Sequence, residues 1–151
     1  MTLFEYVRRL NGALRELRQT KKERAIGVAG DVLAQVKRRV QNTGVNADGA
    51  TFAPYSSLYA AERRKRGFQT NHVYFTRRGR LWNSINPFLE RDGRFNTVVV
   101  VRPRDRENQK KLNSLAQLKN RGNILIPSRT ELQFAIQIWR NKALEKLNQI
   151  R

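Results

Sequence analysis

The sequence contains no cysteine and a single histidine. The absence of cysteine excludes disulfides, thiol catalysis and most zinc sites, and it fits a protein made in a reducing compartment. The single histidine, His72, excludes a cluster of histidine metal ligands and a relay of two histidines. Because His72 stands beside a predicted strand, we expect it to be a surface or packing residue.

Long apolar runs and clusters of acidic residues are absent too. No run approaches the roughly 18 apolar residues that cross a bilayer, and the N-terminus lacks the order of regions found in a signal peptide. We therefore expect a soluble protein that is made inside the cell and does not contact a membrane. The acidic residues are scattered, no serine stands in a nucleophile elbow, and the glycines form no phosphate-binding pattern. The sequence thus predicts no enzyme, no cofactor and no bound metal.

Positive charge is what the chain has in excess. Lysine and arginine number 31 against 12 acidic residues, which gives a formal net charge of +19. The basic residues are spread along the whole chain, so they do not form a detachable tail. A solvated helix face explains any single basic run. The total predicts an acidic partner, whether nucleic acid, an acidic protein or a membrane surface.

The first third of the sequence has the apolar spacing of helices. The length of 151 residues predicts one domain over residues 1–151. A helix is expected over residues 3–17, and it either continues to about residue 43 or is followed by a second helix in line, with Gly44 as a left-handed cap. The predicted buried side of its first part consists of Leu3, Tyr6, Val7, Leu10, Leu14 and Leu17.

The second half predicts a small sheet and two more helices. Asp92 and Gly93 form a strong hairpin signal between strands expected over residues 88–91 and 95–102. A short strand or extended piece is expected over residues 73–75, a third strand over residues 124–126, and a lysine-rich helix over residues 104–121.

The last predicted element is a C-terminal helix that begins with a capping box of Ser128 and Glu131. We predict that this helix buries a stripe formed by Leu132, Ile136, Trp139, Ala143, Leu147 and Ile150. The predicted fold class is α+β, with a long N-terminal helix, an extended loop, a small antiparallel sheet and a C-terminal helix.

Residues 44–85 mix aromatic, basic and turn-forming residues without a regular period. They hold more than half of the aromatic residues of the chain. Asn46 to Gly49 is a tight-turn signal, and Pro54 keeps the residue before it out of a helix. We expect a short helix over residues 58–65 and a helical turn capped by Thr76. Long loops are usually functional or disordered, and the aromatic content indicates that this one is ordered.

Two interpretations of this segment stay open at the level of the sequence. In the first, its aromatic rings stack on bases while its arginines bind phosphates, as in a basic nucleic-acid-binding protein of ribosomal type. In the second, the rings anchor the loop to the core and the arginines face water or a partner subunit. The residues in question form two sets. The first is Tyr55, Tyr59, Arg63, Arg64, Lys65, Arg66 and Phe68, and the second is Phe75, Arg77, Arg78, Arg80 and Trp82.

Four motifs follow one another in the second and third parts of the chain. They are NADGATFAPYS at residues 46–56, FTRRGRLWNSI at 75–85, AQLKNRG at 116–122 and IPSRTEL at 126–132. In this order they resemble the phage virion morphogenesis family, which contains tail-completion and head–tail joining proteins. Lys119 stands where the family usually has histidine, and Thr130 replaces its second proline.

The resemblance implies a structural virion protein of the phage head–tail junction, which joins the tail to the connector of the capsid and performs no catalysis. It implies a homo-oligomeric ring, often of six subunits, that is made in the host cytoplasm and located in the virion. Its partners would be connector or adaptor proteins and tail proteins, with packaged DNA as a further contact in the lumen. The aromatic loop would then be an arm inserted into the neighbouring subunit.

Seven residues are predicted to lie at an interface or to anchor the loop. For Trp82 a place in the core is the alternative, and for Arg80 and Arg129 we expect a buried or interfacial ion pair, which suits the planar guanidinium. The seven are Phe52, Pro54, Tyr55, Arg77, Arg80, Trp82 and Arg129.

Overall fold

Six helices and two strands make up the part of the chain that the computed structural model describes, which is residues 2–76, 78–93, 96–118 and 123–149. The predicted α+β class is confirmed, with helices at both ends and a small antiparallel sheet between them. The helices are α1 (Leu3–Gln19), α2 (Lys21–Thr43), α3 (Ser57–Lys65), α4 (Arg80–Ser84), α5 (Arg106–Gln117) and α6 (Arg129–Asn148), and the strands are β1 (Ile85–Asp92) and β2 (Thr97–Pro103).

The N-terminal part forms two helices, and Thr20 separates them. A capping box that the sequence analysis did not identify begins α1, because the Thr2 hydroxyl accepts from the Glu5 amide and Glu5 Oε2 accepts from the Thr2 amide. Gly44 ends α2 as predicted, with a φ of 65° and its amide bonded to the Val40 carbonyl. Glycine is needed here for a second reason, since a Cβ on Gly44 would lie 2.7 Å from His72 Cβ.

The sheet consists of one antiparallel hairpin. β1 pairs with β2 from Ile85 opposite Pro103 to Asp92 opposite Thr97, with an irregularity near Leu89. The predicted hairpin at Asp92 and Gly93 is therefore confirmed, although both strands differ in their bounds from the prediction.

Two predictions of extended structure and one predicted cap are wrong. Residues 124–126 form a turn, because the Asn123 side chain accepts from the Leu125 amide and the Asn123 carbonyl accepts from the Ile126 amide. Residues 73–75 join no strand, because the amide and the carbonyl of Tyr74 bond to side chains. The turn that Thr76 was expected to cap begins instead after Gly79, which has a φ of 71°.

The core lies between α2, the hairpin and the loop that follows α2. Helix α2 is its centre, because it contacts β1, β2 and α6. The buried residues of the core come from helices, strands and loops alike: Leu33, Val36, Val40, Phe52, Val73, Trp82, Ile85, Leu112 and Ile124.

Helix α6 presents a different side to the body from the one predicted. Leu132 is 49% exposed, Ile136 66% and Trp139 38%, so the predicted burial of this stripe is wrong. Glu131 is buried instead, and the partly buried Ala135 and Ile138 follow it at helical spacing. Successive residues of a helix are about 100° apart, so fixing Glu131 inward turns its neighbour Leu132 away.

The remaining described residues of the predicted stripes of α6 and α1 are at most partly buried. In the α6 stripe, Ala143 and Leu147 are partly buried, and Ile150 lies outside the described residues. In the predicted stripe of α1, Leu3, Tyr6, Val7 and Leu14 are exposed, while Leu10 and Leu17 are partly buried. The buried residue of α1 is Ala13.

Candidate functional site

The loop segment, residues 44–76, folds back on the body of the protein. Asn46 Oδ1 accepts from the amides of Asp48 and Ala50, so the predicted tight turn is present. Phe52 is buried, its amide donates to the Gly44 carbonyl at 2.9 Å, and its ring meets Phe75 edge to face at 4.9 Å. Because Phe52 belongs to the core and Phe75 packs against it, the loop is fixed to the body of the protein.

At the centre of the loop segment lies the Arg63 cage, formed by Arg63 and the rings of Tyr55, Tyr59, Phe68 and Tyr74. Arg63 is only 3% exposed. Its guanidinium carbon lies 4.6 Å from the ring centre of Tyr55, 4.9 Å from Tyr74, 5.2 Å from Phe68 and 5.7 Å from Tyr59. A desolvated cation is stabilised by such aromatic faces, so the cage accepts a buried positive charge.

Hydrogen bonds complete the cage. Arg63 donates to the Thr76 carbonyl at 3.1 Å and to the Gln69 carbonyl at 3.4 Å. The Tyr55 hydroxyl accepts from the Tyr74 amide at 3.3 Å. Burial raises the pKa of Tyr55, against the lowering effects of the Tyr74 amide and the Arg63 charge, so its phenol stays neutral at physiological pH. The two hydrogen bonds of Arg63 thus join α3 to Gln69 and Thr76, which lie near the two ends of residues 68–76.

The Arg63 cage favours the second interpretation for the residues that form it, whereas Arg64, Lys65 and Arg66 are exposed, and binding of nucleic acid by these stays a prediction. The guanidinium of Arg63 is enclosed by Tyr55, Tyr59, Phe68 and Tyr74, so it is not accessible to a phosphate, and these rings face it instead of a base. In the single chain the loop segment packs on the body of its own subunit. Its insertion as an arm into a neighbouring subunit stays a prediction. The sequence holds one local signal for the cage, since Tyr59 and Arg63 are four positions apart in α3 and therefore on one side of that helix.

Three of the seven predicted site residues hold the loop segment to the body. Phe52 belongs to the buried core of the body, and Tyr55 packs against that core. Trp82 is 2% exposed, and its indole Nε1 donates to the Tyr74 carbonyl at 3.1 Å. Trp82 is therefore a core residue that also fixes the loop.

The other four predicted site residues are not brought together with these. Pro54, Arg80 and Arg129 are exposed, and Arg77 lies outside the described residues. The expectation of a buried ion pair is wrong for Arg80 and Arg129, since neither has a carboxylate partner within the described part of the chain. Their place at an interface stays a prediction.

The buried ion pair lies between Arg39 of α2 and Glu131 of α6, which the sequence analysis missed. Arg39 Nε donates to Glu131 Oε1 at 2.9 Å, and Arg39 also donates to the carbonyls of Val45 and Ile126. Glu131 is 7% exposed and accepts from the Ser128 amide at 2.7 Å. The identified capping box was the available signal, because it fixes the direction of the Glu131 carboxylate.

The environment of Glu131 favours its ionised form. Burial by itself raises its pKa, but the hydrogen bonds from Arg39 and the Ser128 amide outweigh burial, so the pKa lies below its ordinary value. This pair holds α2, the start of the loop segment and the start of α6 in one arrangement. It also fixes the rotation of α6.

That rotation leaves an apolar stripe uncovered on α6, formed by Leu132, Ile136 and Trp139. Helix α1, which packs against α6, carries a second stripe, formed by Leu3, Val7 and Leu14, and Leu3 is 79% exposed. Both stripes contain a pair of residues seven positions apart, the repeat by which helices pack on other helices. The two stripes are therefore the candidate functional surface.

Charged contacts fix α6 to the helices beside it. Lys146 pairs with Glu16 of α1 at 2.6 Å, and Lys142 pairs more loosely with Asp31 of α2 at 3.8 Å. The Arg24 guanidinium lies over the Trp139 ring at 5.3 Å. The exposed stripes thus sit on helices that are held in place by their other faces.

Metal and membrane sites were sought among the described residues. That part of the chain holds no group of three or more histidine, cysteine or acidic side chains placed to share a metal ion. None of its helices has both the length and the apolar character needed to span a membrane. Comparison with protein-family models, curated proteins and solved structures gives no match for this chain.

Proposed function

We propose that this protein is a structural subunit of a phage head–tail junction, a tail-completion, terminator or neck-ring protein that joins the tail to the connector of the capsid. In this proposal it forms a homo-oligomeric ring and carries out no reaction. The order of the four motifs supports the proposal from the sequence. The uncovered apolar stripes of α1 and α6 support it from the structure.

The observation that carries the proposal is the exposure of the α6 stripe on a strongly charged chain. Isolated apolar side chains on a surface are ordinary, but an aligned set on one helix marks a contact with another protein. Leu132, Ile136 and Trp139 are such a set. A chain with a net charge of +19 has ample polar residues to place there, so the stripe favours assembly.

A second copy of the chain is the partner that we assign to these stripes. The two stripes lie on different helices of one subunit, α1 and α6. If the α1 stripe of one copy packs on the α6 stripe of the next, the contact is head to tail. Repeated contacts of that kind close into a ring when the rotation allows it.

The positive charge needs a counter-surface in this assembly. We propose that acidic surfaces of neighbouring connector and tail proteins take up most of it, with packaged DNA in the lumen as a minor contact. The Arg63 cage supports this choice, because it uses the aromatic rings that stacking on nucleic acid would require. Tight binding of DNA by the isolated subunit, falling steeply with salt, would contradict it.

The assembly is tested with one substitution in the stripe and a matched control. Ile136→Glu places a charge in the middle of the α6 stripe, whereas Gln137→Glu adds the same charge at the exposed neighbouring position. We expect rings from the unmodified protein and from Gln137→Glu in negative-stain images, and monomers from Ile136→Glu with unchanged circular dichroism. A wild-type chain that stays monomeric at all concentrations and is absent from phage particles would refute the proposal.

A further inference from the structure

A groove of about 810 Å³ lies between α5 and a stretch formed by Phe75 and residues 78–81. Its described lining includes no residue of α1 or α6. Its apolar lining comes from Phe75, Leu81, Leu115 and Leu118. Leu118 is 47% exposed, so this lining reaches the surface. The groove is large enough for several side chains of a peptide.

The rim of the groove is basic. Arg78, Arg80, Lys110 and Lys111 line it, against one acidic residue, Glu107. Glu107 already pairs with Lys111 one turn along α5. Among the described residues no carboxylate pairs with Arg78, Arg80 or Lys110. The rim therefore has free positive charge next to an apolar floor.

A buried acceptor without a partner lies in the same wall. Asn108 is 9% exposed and lines the groove. Its amide nitrogens are used, since its backbone N–H and its Nδ2 each donate to a carboxylate oxygen of Asp105 at 2.8 Å. Its Oδ1 is buried and accepts no hydrogen bond within the described chain. An acceptor left in this state is costly, so this wall of the groove is incomplete in the single chain.

We propose that this groove binds a short peptide segment of a neighbouring protein that combines leucine-like side chains with carboxylates. The apolar side chains would cover Leu81, Leu115 and Leu118, and the carboxylates would pair with the basic rim. That the neighbour belongs to the head–tail junction rests on the function proposed above, whereas the chemistry of the groove does not.

The floor of the groove favours a peptide over single-stranded nucleic acid. Nucleic-acid grooves of this kind use the faces of aromatic rings as stacking platforms for successive bases. Here the floor is mainly leucine, and the one ring, Phe75, already meets Phe52 edge to face. Charge complementarity with the rim selects a segment rich in aspartate or glutamate.

The probe is a fluorescein-labelled peptide in which leucine alternates with glutamate, and binding is measured by fluorescence anisotropy on the full chain. Leu118→Ser shortens the apolar floor at an exposed position without changing charge, and Arg80→Glu reverses one charge of the rim. We expect each to weaken binding roughly tenfold. Arg64→Glu makes the same charge change at an exposed position outside the groove and should weaken it less than about twofold.

Three results would overturn this inference. Equal losses in Arg80→Glu and Arg64→Glu would mean that the peptide follows only the net charge. An unchanged affinity in Leu118→Ser would remove the apolar floor from the site. Competition by a thymidine oligonucleotide at concentrations equal to the unlabelled peptide would make the groove a nucleic-acid site.

The outcome is separable from that of the assembly experiment. Leu118→Ser should still form rings, because the α6 stripe is unchanged and Leu118 is not among the predicted interface residues. If groove binding is specific but no rings form, the peptide site stands and the function proposed above fails. If rings form and binding is unspecific, the reverse holds.

Discussion

The loop segment and helix α6 each contain an aromatic ring that lies against an arginine, but the two regions differ in how completely the chain encloses the pair. In the Arg63 cage the guanidinium lies against four rings and is 3% exposed. Arg24 of α2 lies over a single ring, that of Trp139 on α6, and Trp139 is 38% exposed. The cation–π contact is therefore fully enclosed by the chain in the loop segment, whereas on α6 it stays partly exposed.

The hydrogen bonds show the same difference. Arg63 donates to two carbonyls of its own loop, those of Gln69 and Thr76. Arg24 donates to the Leu17 carbonyl, but its Nε is buried and has no partner within the described chain. The comparison teaches that aromatic content does not locate an interface. An interface is indicated where apolar side chains are exposed and buried polar groups have no partner, as on the side that carries α1 and α6 and in the groove beside α5.

The largest effect is expected from opening the Arg63 cage. Arg63→Met keeps apolar volume but removes the cation and its two hydrogen bonds, so we expect the free energy of unfolding to fall by about 3 kcal/mol. The neighbouring Arg64 is exposed, and Arg64→Met should change it by less than about 0.5 kcal/mol. Urea unfolding followed by tryptophan fluorescence measures both. Equal effects in the two variants would show that the cage stabilises nothing.

The sequence contains enough to predict the elements but not their rotation. Helix periodicity, the Gly44 cap, the Asp92 hairpin and the Ser128 capping box are local signals, and the corresponding elements are present. Which side of α6 faces inward depends on Arg39, which is distant in sequence and pairs with Glu131. Periodicity assigns the apolar side of a helix to the interior of the same chain, and it cannot distinguish that interior from another subunit.

The conformation of the loop segment could not be predicted either, because it too depends on contacts between residues that are distant in sequence. Val73 to Phe75 have the composition of a strand, but the Tyr74 amide and carbonyl find the Tyr55 hydroxyl and the Trp82 indole instead of a neighbouring strand. Those partners come from separate stretches of sequence. The seven predicted site residues therefore divide by tertiary contacts, with Phe52, Tyr55 and Trp82 turned inward.

A second test addresses the pair that sets the exposure of α6. Because hydrogen bonds from Arg39 and the Ser128 amide hold the pKa of Glu131 below its ordinary value of 4.5, its ionised form stabilises the folded state above that pH. This contribution is lost as the pH falls from 4.5 through the folded-state value. Glu131→Gln should lower the free energy of unfolding by about 2 kcal/mol at pH 7.

The pH dependence separates this effect from general acid denaturation. Asp92 and Asp105 also have lowered pKa values, so the unmodified protein loses stability in acid for several reasons. The difference between the unmodified protein and Glu131→Gln should therefore shrink between pH 5 and pH 3, in urea unfolding at each pH. A difference that is constant across this range would mean that the charge of Glu131 does not hold α6 in place.

The smallest effect on the free energy of unfolding is expected at Gly44, where α2 ends and the loop segment begins. Gly44 and Gly49 both have positive φ, 65° and 84°, so alanine is strained at either position by roughly 1 kcal/mol. Only at Gly44 would the added Cβ also meet a neighbour, His72 Cβ, at 2.7 Å, whereas nothing lies within 4 Å at Gly49. Gly44→Ala should therefore lower the free energy of unfolding by about 1 kcal/mol more than Gly49→Ala. Since the backbone strain is shared, the difference between the two variants measures how tightly residues 68–76 close on the end of α2. Equal losses would mean that His72 moves aside freely, and that the loop segment is less completely enclosed than the contacts of Arg63 indicate.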